Sequence, residues 1–451
     1  MFAMFGLAIL SIGGFELYNY VQYKRVLNFI QQKRTHKQKH IDHKFMRDFW
    51  IENISDDELR RWIKNTISYN YCKDSDNYYN EVPFDKISKQ KIIEWVCYNL
   101  FHKDYIECSE EEKEFTEKVL SEIEEKIGHK FIDKESSEDK ESSEESENKV
   151  EDKDNKDIYF LKFGENAIES SYKPLIVYTS FTIMKNVTYM ILNSYGFKKY
   201  KTKHSNIVYF CYKDEKNKET TMFLHGLGFG ITPYLSHILA LRENTNLIIP
   251  VLPSISNMEY NTNFKSFQHE DLFPNYKTWR KDIKQLIHDH ELTEINVIAH
   301  SFGTIILGLL LKDKFINSII KKRIFVDPVC FMDDCYKIYR YLNEPNFGKE
   351  SMINDMFNTI IYRDVYLRYV SQRFLFGPEY WITDYDSLSN HNNLVILSFN
   401  DQMLPIITLY NRMLKHKIPC LLIDRAYHAD IFMTEEFKVV VDYIKEHILD
   451  K

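Results

Sequence analysis

INVIAHSFGTIILGLLL, residues 295–311, sets an apolar run of branched side chains, a serine among small neighbours and an apolar helical run end to end. The first run has strand texture and stops at Ala299-His300-Ser301-Phe302-Gly303, where the helical run begins at once. That order predicts a nucleophile elbow, a sharp turn holding a serine between a buried strand and a buried helix. Such a turn needs small flanking residues because its backbone is strained and lies close to the following helix. Here Ala299 stands at the usual first glycine position and Gly303 keeps the second. The helix N-terminus behind the serine lowers the energy of negative charge developing there.

Outward from this turn, TTMFLHG, TNLIIPVLP, KKRIFVDPV, NLVILSF and IPCLLID read as further buried strands, rich in Val, Ile and Leu without alternation. Helical stretches near 231–241, 276–290, 303–314, 406–416 and 434–449 separate them, so a mostly parallel sheet with helices on both faces is the expected architecture. Upstream of the elbow, MFLHGLGFGITPYL (222–235) places His225-Gly226-Leu227-Gly228 directly after a strand. This is the position of an oxyanion loop, with the backbone amides of Leu227 and Phe302 as the expected donors. A phosphate-cradling loop is excluded by the missing Lys-Ser/Thr ending. Downstream, Asp401 in LVILSFNDQMLP and His428 in LLIDRAYHADIF each follow a strand. The order Ser301, Asp401, His428 is that of a serine triad on a sheet of this kind, with His428 as base and Asp401 as its orienting acid. Asp327, after the strand RIFV, is the alternative acid. Cys330 has no elbow around it and reads as structural.

These pieces resemble the α/β-hydrolase fold superfamily. They are most similar to an uncharacterised group of α/β-hydrolases, largely fungal and protist, that share an HGLGxGxxPY loop, a serine elbow and a DPVCF string. The matching residues are His225–Tyr234, Ala299–Gly303 and Asp327–Phe331, and the resemblance covers about 172–451. It implies an α/β-hydrolase domain with a helical cap at about 328–392, in which Tyr336, Tyr366, Tyr369, Phe376, Tyr380 and Trp381 are among many aromatics. It does not choose among the many chemistries the fold hosts.

The rest of the 451 residues divides by composition. Residues 1–23 contain one charge, Glu16, and are followed by six Lys/Arg and no acid over 24–40. That order predicts a membrane anchor with the following chain on the cytoplasmic side, either spanning the bilayer or lying on it. A helical region fills 24–131, where Ser55 with Glu58 makes a capping-box pattern. Residues 133–157 carry twelve acids, five lysines and a single aliphatic side chain, the mark of a disordered linker placed at 132–158. Outside it Lys+Arg and Asp+Glu balance, which speaks against nucleic-acid binding. PLIVYTSFTIMKNVTYMILNSYGF (174–197) reads as a core-facing helix or, alternatively, a membrane-surface helix. Seven scattered cysteines show no metal-site spacing.

The expected activity is that of a serine hydrolase cleaving a carboxylic ester, a hydrophobic or lipid-like acyl ester given the aromatic cap and the anchor. It needs no metal and no organic cofactor. An acyltransferase and a catalytically inactive binding scaffold are the alternatives. Acyl length, membrane and oligomeric state are not legible.

Overall fold

The computed structural model describes residues 2–32, 43–69, 82–132, 158–160, 162, 168, 170–205, 207–252, 255–256, 276–331, 338, 361, 363–374, 381–432 and 437–448. The chain forms two compact units, one of Thr35–Phe163 and one of Met1–Arg34 with Gly164–Lys451.

In the smaller unit, helices Asp56–Thr66, Lys89–Phe101 and Glu110–Ile127 each start on a serine that accepts a backbone amide. Ser55 with Glu58 and Ser109 with Glu112 complete capping boxes. Trp50 stacks on Trp95 with ring centroids 5.1 Å apart, and the Trp95 indole N–H donates to Thr66 Oγ1 at 2.8 Å. Both rings are fully buried, so the tryptophans act as packing residues here. Cys97 and Cys108, eleven residues apart, bring their sulfurs to 2.8 Å as free thiols. Strands β1 (Ile67–Tyr69) and β2 (Ile158–Phe160) pair antiparallel.

The larger unit is built on an eight-stranded sheet: β3 (Lys198–Lys201), β4 (Val208–Tyr212), β5 (Thr220–Leu224), β6 (Asn246–Pro250), β7 (Ile295–His300), β8 (Ile320–Val326), β9 (Asn393–Ser398) and β10 (Cys420–Ile423). Its spatial order is β3-β4-β6-β5-β7-β8-β9-β10, with β4 antiparallel to both of its neighbours, β3 and β6, and all the other pairings parallel. Order and direction are those of the α/β-hydrolase fold. The central strands are buried on both faces, which is why β6, β7 and β9 read as unbroken apolar runs. Phe223, Ile298, Ile324 and Ile396 meet Ile238, Leu241, Val440 and Ile444 from the helices Leu235–Leu241 and Phe437–Ile448 in one core. Lys322, buried in β8, is satisfied by the carbonyls of His447 and Ile448 at the end of that last helix.

Two features differ from the sequence reading. Strand β3, KKYK, carries no strand signal in its sequence: all four side chains are exposed, and only pairing with β4 makes it a strand. Residues 2–32 form one helix, which runs past the expected boundary at residue 23, and Tyr23, Val26 and Ile30 are buried with Val365, Tyr366 and Tyr369 in a small core. Glu16, the charge that interrupts the apolar run, accepts the backbone N–H of Leu175 at 3.0 Å and a hydrogen bond from the Tyr172 hydroxyl. It thus supplies an acceptor to the first turn of helix Leu175–Ser194, which begins after Pro174 and has no side-chain cap of its own. Most of the expected cap, including Tyr336, Phe376 and Tyr380, and nearly all of the acidic linker lie outside the described residues. The described parts of the cap include helix Val365–Phe374 and Trp381; Tyr366, Tyr369 and Trp381 are buried, as packing residues are.

Ile298 is fully buried at the centre of the sheet. Ile298→Ala is expected to cost about 2–5 kcal/mol in the urea unfolding transition of the larger unit, with little effect on that of the smaller one.

Candidate active site

The turn after β7 is strained. Ser301 sits at φ 49°, ψ −120°, a conformation an L-residue adopts only when its surroundings impose it. Two constraints do so. The Ser301 N–H donates to the Val326 carbonyl of β8 at 2.9 Å, and helix Phe302–Leu311 starts at the next residue. A Cβ on Gly303 would lie 2.3 Å from the Leu224 carbonyl oxygen, so only glycine lets this helix pack against the end of β5. Thr304 holds the turn from inside, with its hydroxyl on the Ser301 carbonyl at 2.6 Å and accepting the Val329 N–H at 3.0 Å.

Three residues from three chain segments converge on this turn. His428 Nε2 lies 2.9 Å from Ser301 Oγ, and His428 Nδ1 lies 2.5 Å from Asp401 Oδ2. The other Asp401 oxygen accepts the backbone amides of Met403 and Leu404 at 2.7 and 3.0 Å, which fixes the carboxylate behind the imidazole. Burial opposes charge on His428, whose side chain is only 13% exposed. The attraction and hydrogen bond of Asp401, with the further charges of Asp327 and Asp430, outweigh it and push the imidazole pKa up to about 9.

Asp327 lies behind this line and has no hydrogen bond to the imidazole among the described residues. It accepts the Ser398 N–H at 2.8 Å, the Ser398 hydroxyl at 2.9 Å and, at 3.4 Å, the Ala429 N–H. Of the two candidate acids, Asp401 therefore faces His428, while Asp327 braces the two loops that carry Asp401 and His428. It is fully buried at φ 43°, and its carboxyl is raised to about 6 by burial and by the nearby Asp401 charge, against the pull of His428 and Ser398. Asp327, Asp401 and His428 bring their polar atoms within 4.8 Å of one another. In this set His428 Nε2 lies against Ser301 and its Nδ1 against Asp401, so both imidazole nitrogens already have a partner.

The loop after β5 closes the opposite side. The Gly226 N–H donates to the Tyr234 hydroxyl at 3.0 Å, and the Gly228 N–H to the Ile255 carbonyl at 2.8 Å. The Leu227 amide between them has no internal acceptor among the described residues, as an oxyanion donor requires. A Cβ on Gly226 would meet His300 Nδ1 at 2.8 Å and the Tyr234 hydroxyl at 3.0 Å. Gly228, at φ 128°, faces Ile361 from the cap region.

A buried polar chain behind the site was not visible in sequence. The Tyr234 hydroxyl accepts from Gly226 and is hydrogen-bonded to His300 Nδ1 at 2.7 Å, while His300 Nε2 has no hydrogen-bond partner among the described residues and lies 3.9 Å from Asp327 Oδ2. Burial holds His300 well below its ordinary pKa, so it stays neutral. His225 is likewise neutral, lowered to about 4 by burial, with Nε2 accepting the Leu252 N–H and Nδ1–H donating to the Gly226 carbonyl. The Tyr of the PY pair and the histidine inside the elbow string were the available signals. Cys330 is fully buried and its thiol is pushed up to about 12, so it carries no thiolate near neutral pH.

No family model matches this chain, and no curated protein does. Solved structures that it resembles include the carboxylesterase CesB from Bacillus subtilis, at 13% identity and TM-score 0.45 over 61% of this chain and 100% of that one. Naproxen esterase from Bacillus subtilis follows at 14%, TM-score 0.41, over 58% and 98%. The 2-hydroxy-6-oxo-6-phenylhexa-2,4-dienoate hydrolase of Rhodococcus sp. strain RHA1 gives 17%, TM-score 0.40, over 56% and 98%. Strand order and the strained turn, not these distant likenesses, define the fold.

Gly303→Ala tests the turn directly. The added methyl meets a backbone oxygen of β5 that cannot retreat without loosening the β5–β7 pairing. A loss of at least about 2 kcal/mol is expected, read as a lowered thermal midpoint of the larger unit.

Proposed function

We propose that the protein is a serine hydrolase that cleaves a carboxylic ester through an acyl-enzyme on Ser301. The observation that carries this reading is the continuous line from Ser301 Oγ through His428 to Asp401, at 2.9 and 2.5 Å, on a strained turn. His428 Nε2 takes the proton as Ser301 Oγ adds to the ester carbonyl. The negative charge passes to the carbonyl oxygen, which the amides of Leu227 and Phe302 receive. Asp401 stabilises the imidazolium. As the tetrahedral adduct collapses, the C–O bond to the alcohol breaks and His428 returns the proton to that oxygen. Water then repeats the sequence on the acyl-enzyme, releasing the acid and restoring Ser301. An alcohol in place of water would make the same machinery an acyltransferase.

The proposed substrate is a hydrophobic or lipid-like acyl ester, and the proposed setting is a membrane surface reached through the N-terminal segment. What supports both is apolar side chains left facing solvent on helix Phe2–Gln32, among them Phe15, Leu17 and Tyr18. Lys24 and Arg25 are exposed on the same helix, where they would meet anionic headgroups and favour a cytoplasmic location for the larger unit. A binding scaffold without chemistry has no observation of its own in its favour, since such a role needs no base aligned on a serine.

Labelling with a fluorophosphonate probe is expected for the wild-type protein and absent for Ser301→Ala at unchanged thermal midpoint. A folded wild type that does not label overturns the reading. Asp401→Asn is expected to lower kcat/KM by about 10^3-fold or more, and Asp327→Asn by less, because Asp327 makes no hydrogen bond to the imidazole and acts through the loops it braces and a smaller charge effect on His428. Equal or reversed losses would transfer the acid role to Asp327. His428 must be neutral to act as base, and its pKa lies near 9. For a neutral ester, kcat/KM is therefore expected to rise about tenfold per pH unit from pH 6 to 8 and to level near 9. In Asp401→Asn the residual activity should level at lower pH, because the main charge that holds the imidazole protonated is gone.

A further inference from the structure

Helix Leu175–Ser194 has two unlike faces. Phe181, Thr188, Tyr189 and Leu192 are buried. Ile176, Ile183, Val187 and Met190 are exposed, the first and last at 76% and 70%, and their spacing of seven, four and three places them on one narrow stripe. Among the described residues this is the helix whose length and apolar composition suit a bilayer, and little of it is buried. Yet its buried face packs on the larger unit and Lys185 interrupts its middle, so it lies on the protein surface as an amphipathic element.

We infer that this stripe docks on the surface of a bilayer containing anionic lipid. Two observations select that occupant. The first is continuity: the Glu16 carboxylate on the Leu175 amide joins this helix to helix Phe2–Gln32, and Phe15 and Ile176, both largely exposed, are the chain neighbours of the bonded pair. The second is charge. The helix is followed at once by β3, whose Lys198, Lys199 and Lys201 are all exposed, and Lys199 lies over the Tyr189 ring of the same helix at 5.0 Å. An exposed apolar stripe on one helix, with exposed lysines on the strand that follows it, matches acyl chains beneath a negative headgroup layer.

Docking here would also bring lipid beside the candidate active site. Phe181 meets Phe229 of the proposed oxyanion loop edge to face at 5.4 Å, and the Thr188 hydroxyl bonds that of Thr232 at 2.9 Å. The helix that touches the membrane on one face thus supports the Gly226–Tyr234 segment on the other, a short route for an apolar ester. The inference extends the membrane contact proposed for the N-terminal segment and stands independently of ester hydrolysis.

All five tryptophans, Trp50, Trp62, Trp95, Trp279 and Trp381, are buried, so lipid-borne quenchers leave native emission unchanged. Val187→Trp puts a reporter on the stripe, and Val439→Trp puts one on the exposed side of helix Phe437–Ile448. With full-length protein on phosphatidylcholine–phosphatidylserine vesicles carrying brominated acyl chains, Val187→Trp emission is expected to fall at least twofold relative to unbrominated vesicles. Wild type and Val439→Trp should not change, and all three proteins should keep one thermal midpoint. Lys199→Gln with Lys201→Gln is expected to weaken binding to these vesicles by about fivefold per lysine and to leave binding to phosphatidylcholine alone unchanged. Vesicle-bound protein with unquenched Val187→Trp emission overturns the inference while leaving the N-terminal anchor standing. Quenching of Val439→Trp to the same degree overturns it too, as does a lipid-free, concentration-dependent shift of Val187→Trp emission, which would mean that a second copy covers the stripe. None of these outcomes bears on fluorophosphonate labelling, so the two readings fail separately.

Discussion

The candidate site depends on a contact with no room for a side chain. Helix Phe302–Leu311 can start directly behind Ser301 only because Gly303 lies against the Leu224 carbonyl at the end of β5. That closeness, with the bond from the Ser301 amide to Val326 of β8, holds the serine in a backbone conformation it would not choose alone. Three neighbouring parallel strands, β5, β7 and β8, therefore determine where one hydroxyl points. The strain is borne by the sheet, whose central strands are buried on both faces and cannot shift independently.

Around that turn, each polar group is held by a second one. Asp401 is held by two backbone amides, His428 by Asp401, and the loops bearing both by Asp327 through Ser398 and Ala429. Tyr234 joins the Gly226 amide to His300 Nδ1, and the chain ends there, with His300 Nε2 3.9 Å from Asp327 Oδ2. In such low-dielectric surroundings a hydrogen bond is strong and a missing one costly, which keeps the geometry narrow. The two carboxyls near His428 have different partners: Asp401 meets the imidazole, whereas Asp327 meets the Ser398 and Ala429 donors, and burial with the nearby Asp401 charge pushes Asp327 towards its protonated form.

The apolar N-terminal helix and helix Leu175–Ser194 show the same economy of polar groups. Glu16, which thins the apolar run in the sequence, is turned inward onto the start of the second helix, and Gln22 is buried, while Phe15, Leu17 and Tyr18 stay outside. A folded protein that turns its polar residues in and leaves its large apolar ones out on adjoining helices places them where water is the least favourable neighbour.

The sequence alone determined what local chemistry dictates. Buried parallel strands announced themselves as unbroken runs of branched side chains, the tight turn at Ser301 by the small residues around it, and one capping box by Ser55 and Glu58. Tertiary structure decided what depends on distant neighbours. β3 is a strand because β4 pairs with it, not because KKYK favours one. Asp401 rather than Asp327 faces the imidazole because two loops more than twenty residues apart in the chain fold onto each other. The stripe on helix Leu175–Ser194 is exposed because the core takes its other face, and no periodicity within the helix tells which face that will be. Short-range propensity and backbone sterics are written in adjacent residues, whereas contacts between remote segments exist only once the sheet has brought them together.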